Sequence, residues 1–370
     1  MKIAVLGAAG AMAQVVLRDL LEFLPDVTIT AADARPVAAL DPRVQPAPLD
    51  ARDLEATARL LAGHDAVLNC VTYYFNNEVM RAALQARVPY ADLGGLYHGT
   101  LKQFALDDEF RAAGVPALLG MGSTPGITNV MAGAMARGLD HVDAIHVRVG
   151  CIDETSTGPL PVPYALDTVL DEFCLAPMVL RDGTPVAVPP MSGAETIDFP
   201  DPIGRAEALY TLHSEVAMFP RSFPGLSEAS FKVAFTEEFT GKMRFLVELG
   251  FGVKEPAVGE VSPRAMLLAL ASRLAGNDAL PADCDAIRVD LRGRLGGRTI
   301  ERRAETVVRP HSRWRVPAGA LDTGVPLAIA GAMLARREIS TAGVLCPEVV
   351  VDPERFFAEL AKREIHVVLD

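Results

Sequence analysis

The sequence predicts an α/β fold built on a doubly wound parallel sheet, and three observations carry the prediction. A strand, a glycine turn and a helix open the chain, strands and helices alternate through the first 120 residues, and the alternation returns at the C-terminus. Lys2 to Leu6 is apolar and Gly7-Ala8-Ala9-Gly10 is small, while Met12, Val15, Val16, Leu20 and Phe23 recur at helical spacing until Pro25 closes the helix. Val27 to Ala32 is rich in β-formers and ends at Asp33, which completes a βαβ unit. Val44–Ala47, Ala66–Cys70, Tyr90–Leu93 and Ala117–Leu119 follow as short strands, separated by helical stretches at Leu54–Ala62, Glu78–Arg87 and Leu101–Ala113.

After Gly120 the texture changes. Asp182-Gly183 between two apolar runs reads as a hairpin turn, and Ala229, Phe231, Val233 and Phe235 share one face of a strand, so the middle of the chain reads as α+β. Near the end, a helix over Pro326–Arg337, a strand over Val349–Val351, a helix over Pro353–Lys362 and a strand over Ile365–Leu369 restore the opening rhythm. The expected division is a dinucleotide-binding domain of residues 1–125 plus 320–370, interrupted by an α+β substrate and dimerisation domain of residues 126–319.

Composition narrows the partners. The 370 residues carry 35 basic against 47 acidic side chains, a net charge of −12, and no basic run, which argues against a nucleic acid or an anionic membrane as partner. The apolar stretch Val325–Leu334 has half of the roughly 20 residues a membrane span needs, and the start lacks a secretory leader, so a cytoplasmic location is expected. Five cysteines without a Cys-x-x-Cys pair predict free thiols, and no cluster suggests a metal.

The turn Gly7-Ala8-Ala9-Gly10 followed by Ala11 and Met12 stands between strand and helix, where small residues let a pyrophosphate approach the backbone and the first-turn amides point at it. Asp33 is placed to accept hydrogen bonds from the adenosine ribose, which favours NAD, while Arg35 two residues on is suited to a 2′-phosphate and keeps NADP as the alternative. Rival signatures are missing: no tyrosine is followed four residues later by lysine, and the Gly-x-Ser-x-Gly, His-Glu-x-x-His and Walker patterns are absent.

Several motifs together resemble the saccharopine dehydrogenase-like oxidoreductases, a group that includes saccharopine reductases and lysine 6-dehydrogenases. They are Gly7-Ala-Ala-Gly10, Tyr90-Ala-Asp-Leu-Gly-Gly95, Gly122-Ser-Thr-Pro-Gly-Ile-Thr-Asn129, Val149-Gly-Cys151 with Pro163-Tyr-Ala165, Thr323-Gly-Val-Pro326 and Gly343-Val-Leu-Cys-Pro-Glu348. The resemblance runs nearly end to end. It implies a Rossmann domain completed by the C-terminal tail, a central domain that binds substrate and forms the dimer, and reversible oxidation of a C–N bond by NAD(P). The cofactor site then extends to Asp50, Cys70, Val71, Thr72 and Gly94, with Val71-Thr-Tyr-Tyr74 near the nicotinamide and Ser123, Thr124, Pro125, Gly126 and Asn129 along the interdomain cleft. The chain departs from the reductases at Gly150-Cys-Ile-Asp153, where their central motif reads Gly-Gly-Leu-Pro, and at Tyr164-Ala-Leu-Asp-Thr168.

Amine oxidation requires a group that exchanges protons near neutrality. His213 and Glu215 form a candidate pair, sharing one face if their segment is extended; an ordinary strand-edge hydrogen bond is the alternative. Asp92, at the C-terminal end of a strand, and Tyr74 are further catalytic candidates, with Tyr73, Cys151 and Tyr164 expected to line the substrate pocket. Arg205 is a candidate clamp for a substrate carboxylate. Because saccharopine carries three carboxylates and only Arg205 and Arg221 fall between Asp182 and Lys232, the sequence leans toward a smaller amino acid such as lysine. A non-catalytic dinucleotide-binding redox sensor or assembly protein is the alternative from a different class.

Overall fold

The computed structural model describes residues 1–38, 41–154, 160, 162, 164–257, 259–274 and 281–370, with Leu274 by its backbone alone. Strands β1 (Lys2–Leu6), β2 (Thr28–Asp33), β3 (Val44–Pro48), β4 (Ala66–Asn69), β5 (Tyr90–Asp92) and β6 (Pro116–Leu118) alternate with helices α1 (Ala11–Phe23), α2 (Leu54–Leu61), α3 (Asn76–Ala86), α4 (Leu96–Phe104) and α5 (Asp107–Ala113). The predicted helix over Leu101–Ala113 is thus two helices. Then come α6 (Ile127–Ala136), β7 (His141–Asp153), α7 (Leu166–Cys174), β8 (Met178–Arg181), β9 (Thr184–Ala187), β10 (Glu195–Asp198), β11 (Arg205–Tyr210), α8 (Glu215–Ser222), β12 (Glu228–Ala234), α9 (Glu237–Glu248), α10 (Pro263–Leu274), β13 (Asp283–Leu295) and β14 (Arg298–Val308). The chain ends with α11 (Ala318–Ala335), β15 (Gly343–Leu345), α12 (Pro347–Val350), α13 (Pro353–Ala361) and β16 (Val367–Leu369).

The first sheet is entirely parallel in the order β15-β6-β5-β4-β1-β2-β3. The order reverses between β1 and β4, and the crevice outside the strands' C-terminal ends at that switch point is where such sheets bind ligands. Its inner strands are apolar on both faces, and β15, from the C-terminal tail, pairs with β6 as the seventh strand. The second sheet is mixed, in the order β10-β11-β12-β7-β13-β14-β16, with the β8–β9 hairpin attached to β12. That hairpin turns at Asp182 and Gly183, both with positive φ, as a two-residue loop between twisted strands requires.

Two C-terminal elements differ from expectation. Val349 lies in or against α12 rather than in a strand, because Pro347 starts a helical turn there. The last strand, β16, pairs with β14 of the second sheet instead of returning to the first.

Helix α11 is almost wholly buried and is the one described helix long and apolar enough to cross a membrane; here it is a core helix between α1 and both sheets. Its contact with α1 is close: a Cβ at Gly324 would meet the Val15 side chain at 2.7 Å and the Met12 carbonyl at 3.0 Å. We expect Gly324→Ala to destabilise the protein by about 1–3 kcal/mol despite the better helix propensity of alanine, because overpacking there displaces α1. Urea unfolding checks this; an unchanged or raised midpoint would refute it.

Candidate active site

The site is built where α1, the loops after β4, β5 and β6, and the start of α11 meet the inner face of the second sheet. Gly7 ends β1 with φ +74°, and a Cβ there would lie 2.7–2.8 Å from the Cys70–Val71 backbone, so only glycine keeps the first turn against the β4 loop. Gly10 caps α1 without a side-chain acceptor, and no acidic residue stands in the first turn, which leaves the amides of Ala11, Met12 and Ala13 available to an anion. Ala8 is buried beneath the turn. These features fit a dinucleotide pyrophosphate.

Beside the turn, a groove is lined by Gly7, Gly10, Asp33, Arg35, Asp50, Arg52 and the Cys70–Thr72 loop. Asp33 accepts from the Ala9 amide at 3.0 Å and from the Arg35 amide and guanidinium at 2.8–3.3 Å. Burial alone would raise the Asp33 pKa, but these donors outweigh it and hold the carboxyl below its ordinary value. Asp50 and Arg52 repeat the arrangement one strand over, at 2.6 Å, and the exposed pair holds the Asp50 pKa down to about 2. Arg52 was not singled out by sequence; the repeated Asp-x-Arg at Asp33 and Asp50 is the signal that marks it.

The Cys70–Thr72 loop also lines a second cavity of about 520 Å³, so groove and cavity are continuous. Met12, Tyr73, Gly94, Ser123, Thr124 and Pro125 line it from the side of the first sheet's loops, and Cys151, Tyr164, His213 and Phe231 from the side of the second sheet. Gly94 therefore faces the cleft rather than the nucleotide groove. Gly126 lies behind the cleft lining, closing the loop through the hydrogen bond of Gly122 N–H to the Pro125 carbonyl and its own N–H to Asn129. Pro163 of the quoted motif lies outside the described residues.

His213 and Glu215 are brought together, Nδ1 against Oε2, though by the start of α8 rather than by an extended segment. The imidazole stacks on Phe231 at 3.7 Å between ring centres, lines the cavity, and has no hydrogen-bond partner at Nε2 among the described residues. Its burial would lower the pKa, but the Glu215 charge and hydrogen bond, with Glu172 nearby, hold it above the ordinary value.

Four candidates are placed elsewhere. Asp92 is fully buried and accepts from Gly120 N, Gln103 Nε2, Tyr90 OH and Gly94 N at 2.6–3.0 Å, so it ties the β5 and β6 loops together instead of facing the cleft. Asn129, also fully buried, joins the Gly126 amide to Glu348, which in turn accepts from Ser222. Arg205 sits at the exposed end of β11, paired with β10, and does not line the cavity, so no carboxylate clamp forms there. Tyr74 is directed to the cleft rim: it and Tyr73 both donate to Asp171, which Lys254 and Arg264 neutralise at 3.0 and 2.7 Å. That cluster fastens the β4 loop to α7 across the mouth of the cleft.

Sequence reasoning missed the carboxyl groups of the cavity. Asp167, Glu172, Asp283, Asp285 and Asp322 all line it, and His213 is its only described basic residue. Asp322 was detectable as a lone carboxylate inside the apolar Ala318–Ala335 helix, and Asp283-Cys-Asp285 as a period-2 pair on a strand.

Comparison with known proteins agrees with the geometry. Residues 3–118 match the saccharopine dehydrogenase NADP binding domain and residues 122–365 the saccharopine dehydrogenase C-terminal domain. The chain is 26% identical to carboxyaminopropylagmatine dehydrogenase of Synechocystis, over 98% of this chain and 95% of that protein. Carboxynorspermidine synthase of Vibrio cholerae is 31% identical over 27% of each chain. In fold it is similar to saccharopine dehydrogenase (L-Glu forming) from Saccharomyces cerevisiae, with a TM-score of 0.75, 17% identity and coverage of 100% of this chain and 99% of that one. Fold and site define an NAD(P)-dependent oxidoreductase acting on a CH–NH group. The chain belongs to the saccharopine dehydrogenase family.

Removing Asp33 should separate the two nucleotides. In Asp33→Ala the ribose acceptor is lost and Arg35 is freed, so the NAD-to-NADP preference is expected to fall by roughly tenfold or more, as the ratio of kcat/KM values reads it. An unchanged ratio would remove Asp33 from nucleotide selection.

Proposed function

We propose that this protein oxidises, or in reverse forms, a secondary amine that joins an amino-acid part to a positively charged amine or guanidine arm, as in carboxyaminopropylagmatine. The observation that carries this reading is the acidic lining of the cleft: Asp167, Glu172, Asp283, Asp285 and Asp322 line it, of which Asp167 is paired with Arg264, and no described lysine or arginine lines it. A tricarboxylate such as saccharopine finds no cationic partner in that lining, whereas a cationic arm finds acceptors. The named substrates of the two relatives in Synechocystis and Vibrio cholerae have that chemistry, which supports the assignment.

When bound, the nicotinamide cofactor supplies the hydride acceptor. His213, neutral and unpaired at Nε2, takes the proton from the amine nitrogen as hydride leaves the adjacent carbon, which makes the C–N bond an imine. Glu215 fixes the imidazole tautomer and stabilises the imidazolium. Water then adds to the imine carbon, the imidazolium returns its proton to the departing nitrogen and the new hydroxyl gives up its own to it, so that a carbonyl and a primary ammonium leave. The Ser123–Pro125 loop and Met12 hold the dinucleotide end of the cleft, while Cys151, Tyr164 and Thr168 line the substrate end.

The domain division at residues 125/126 and 319/320 is proposed with this reading, since it sets the cleft between the two sheets. A cytoplasmic homodimer is proposed as well. The five cysteines are unpaired, as a reducing compartment requires, and Phe245, Leu249, Met266 and Leu270 expose apolar surface on α9 and α10 suited to a second copy.

Reduced-nicotinamide absorbance with carboxyaminopropylagmatine, carboxynorspermidine, saccharopine and lysine tests the substrate. Turnover of the polyamine-type compounds well above saccharopine is expected, and the opposite order would sink the reading. For the proton, kcat/KM for oxidation should rise with pH through an ionisation above the ordinary histidine range, because His213 must be neutral and Glu215 holds its proton on. In Glu215→Gln burial dominates, so this limb should move to lower pH while kcat falls. A limb that stays in place would take the base role from His213.

A further inference from the structure

We propose that Glu172, Asp285 and Asp322 are the specificity determinants that read the positively charged arm of the substrate. The proposal rests on the cationic-amine reading above and assigns it to particular side chains. Glu172 is 4% exposed, and only one of its carboxylate oxygens is engaged, by the Tyr164 hydroxyl at 2.5 Å; the other has no hydrogen-bond partner among the described residues, and the side chain lines the cleft. A largely buried carboxyl with one oxygen left to a ligand cavity is suited to accept from a donor on the ligand.

Asp285 and Asp322 form the facing wall. Asp285 lies on β13 directly across from Cys151 of β7, in hydrogen-bonding reach of the Asp322 carboxyl and the Cys151 thiol. Asp322, 1% exposed, accepts from Ser123 at 2.9 Å and from its neighbour Thr323 at 3.3 Å. None of these three carboxyls has an arginine or lysine partner, in contrast to Asp171 close by, which has both. Burial pushes Glu172 up to about 7 and raises Asp285 and Asp322, so these carboxyls favour their protonated forms where no cation faces them. The groups facing them from neighbouring elements are Cys151 and Asp153 on β7, Asp283 on β13, Tyr164, and the His213–Glu215 pair at α8, of which only the imidazole can take a positive charge, when it is protonated. A guanidinium or ammonium arm replaces those protons with a fixed charge and with N–H donors in the number the oxygens lack.

The test compares each charged substrate with a neutral copy of the same shape. Carboxyaminopropylagmatine and its analogue carrying a urea in place of the guanidinium are assayed with wild type, Glu172→Gln, Asp285→Asn and Asp322→Asn. Wild type is expected to prefer the guanidinium compound by about a hundredfold or more in kcat/KM, and each variant to lose roughly tenfold or more of that preference through KM for the charged compound. Because the readout is a ratio on one protein sample, partial misfolding does not move it. Dinucleotide binding by each variant, followed by fluorescence, should stay within about threefold of wild type, which separates arm recognition from damage to the cleft. Variants that keep the wild-type ratio overturn the assignment of these residues while leaving the cationic-amine reading standing. A wild-type enzyme that turns over the urea analogue equally well, or neither compound, overturns both.

Discussion

The close approach of α11 to α1 is the constraint on which the site depends. Gly324 lets the two helices meet at backbone distance, so the C-terminal tail's helix lies against the helix whose first turn faces the dinucleotide. The start of α11 is thereby fixed beside the Ser123–Pro125 loop, and Asp322, two residues before the contact, can accept from Ser123 across the cleft. Asp283 accepts from Gly319 in the first turn of the same helix at 3.3 Å, which ties β13 and its neighbour Asp285 to that position. Residues separated by some two hundred positions in the chain thus become one wall. Any shift of α11 would move the nucleotide turn, the acid wall and the second sheet together.

A second level of support comes from buried polar groups that never touch a substrate. Asp92 gathers four donors, the Gly94 and Gly120 amides of the β5 and β6 loops, Tyr90 of β5 and Gln103 of α4, and the Asn129–Glu348–Ser222 chain joins α6, α12 and α8. Both oxygens of the Asp92 and Glu348 carboxyls are engaged, which is the condition under which buried polar groups fix geometry rather than loosen it. Thr128, next to Asn129, donates to Glu215 at 3.1 Å, so this scaffold also orients the carboxylate that holds His213. Family motifs that look chemical in sequence here act by positioning.

That division explains what could be read from the sequence and what could not. The parallel sheet was legible because short continuous apolar runs, glycine turns and helical spacing are local signals, and β1 through β6 follow them closely. The Gly7–Met12 turn was legible for the same reason. Asp92, Asn129 and Arg205 were misread because a polar residue at a strand or helix end has one local appearance and two destinations, toward the cleft or into the scaffold, and only tertiary packing decides. His213 and Glu215 meet, but through a helix start that their spacing does not announce. The acid wall was missed because its members come from α7, β13 and α11, and no local pattern joins them.

The electrostatics of the cleft give those three elements a common purpose. A carboxylate in a closed cavity repels its neighbours and favours protonation, and burial accordingly raises the pKa of Glu172, Asp285 and Asp322. Asp171, only one residue from Glu172, shows the alternative: surrounded by Lys254, Arg264 and two phenols, it is held below its ordinary pKa despite burial and serves as a fastener. The two neighbouring acids differ above all in the groups that face them. Where a protein cation was supplied, the carboxylate closes the cleft; where it was withheld, the carboxylate waits for one from the ligand. Binding of the charged arm by these carboxyls then aligns the reacting C–N bond beside His213, so recognition of the arm is turned into orientation at the reacting bond.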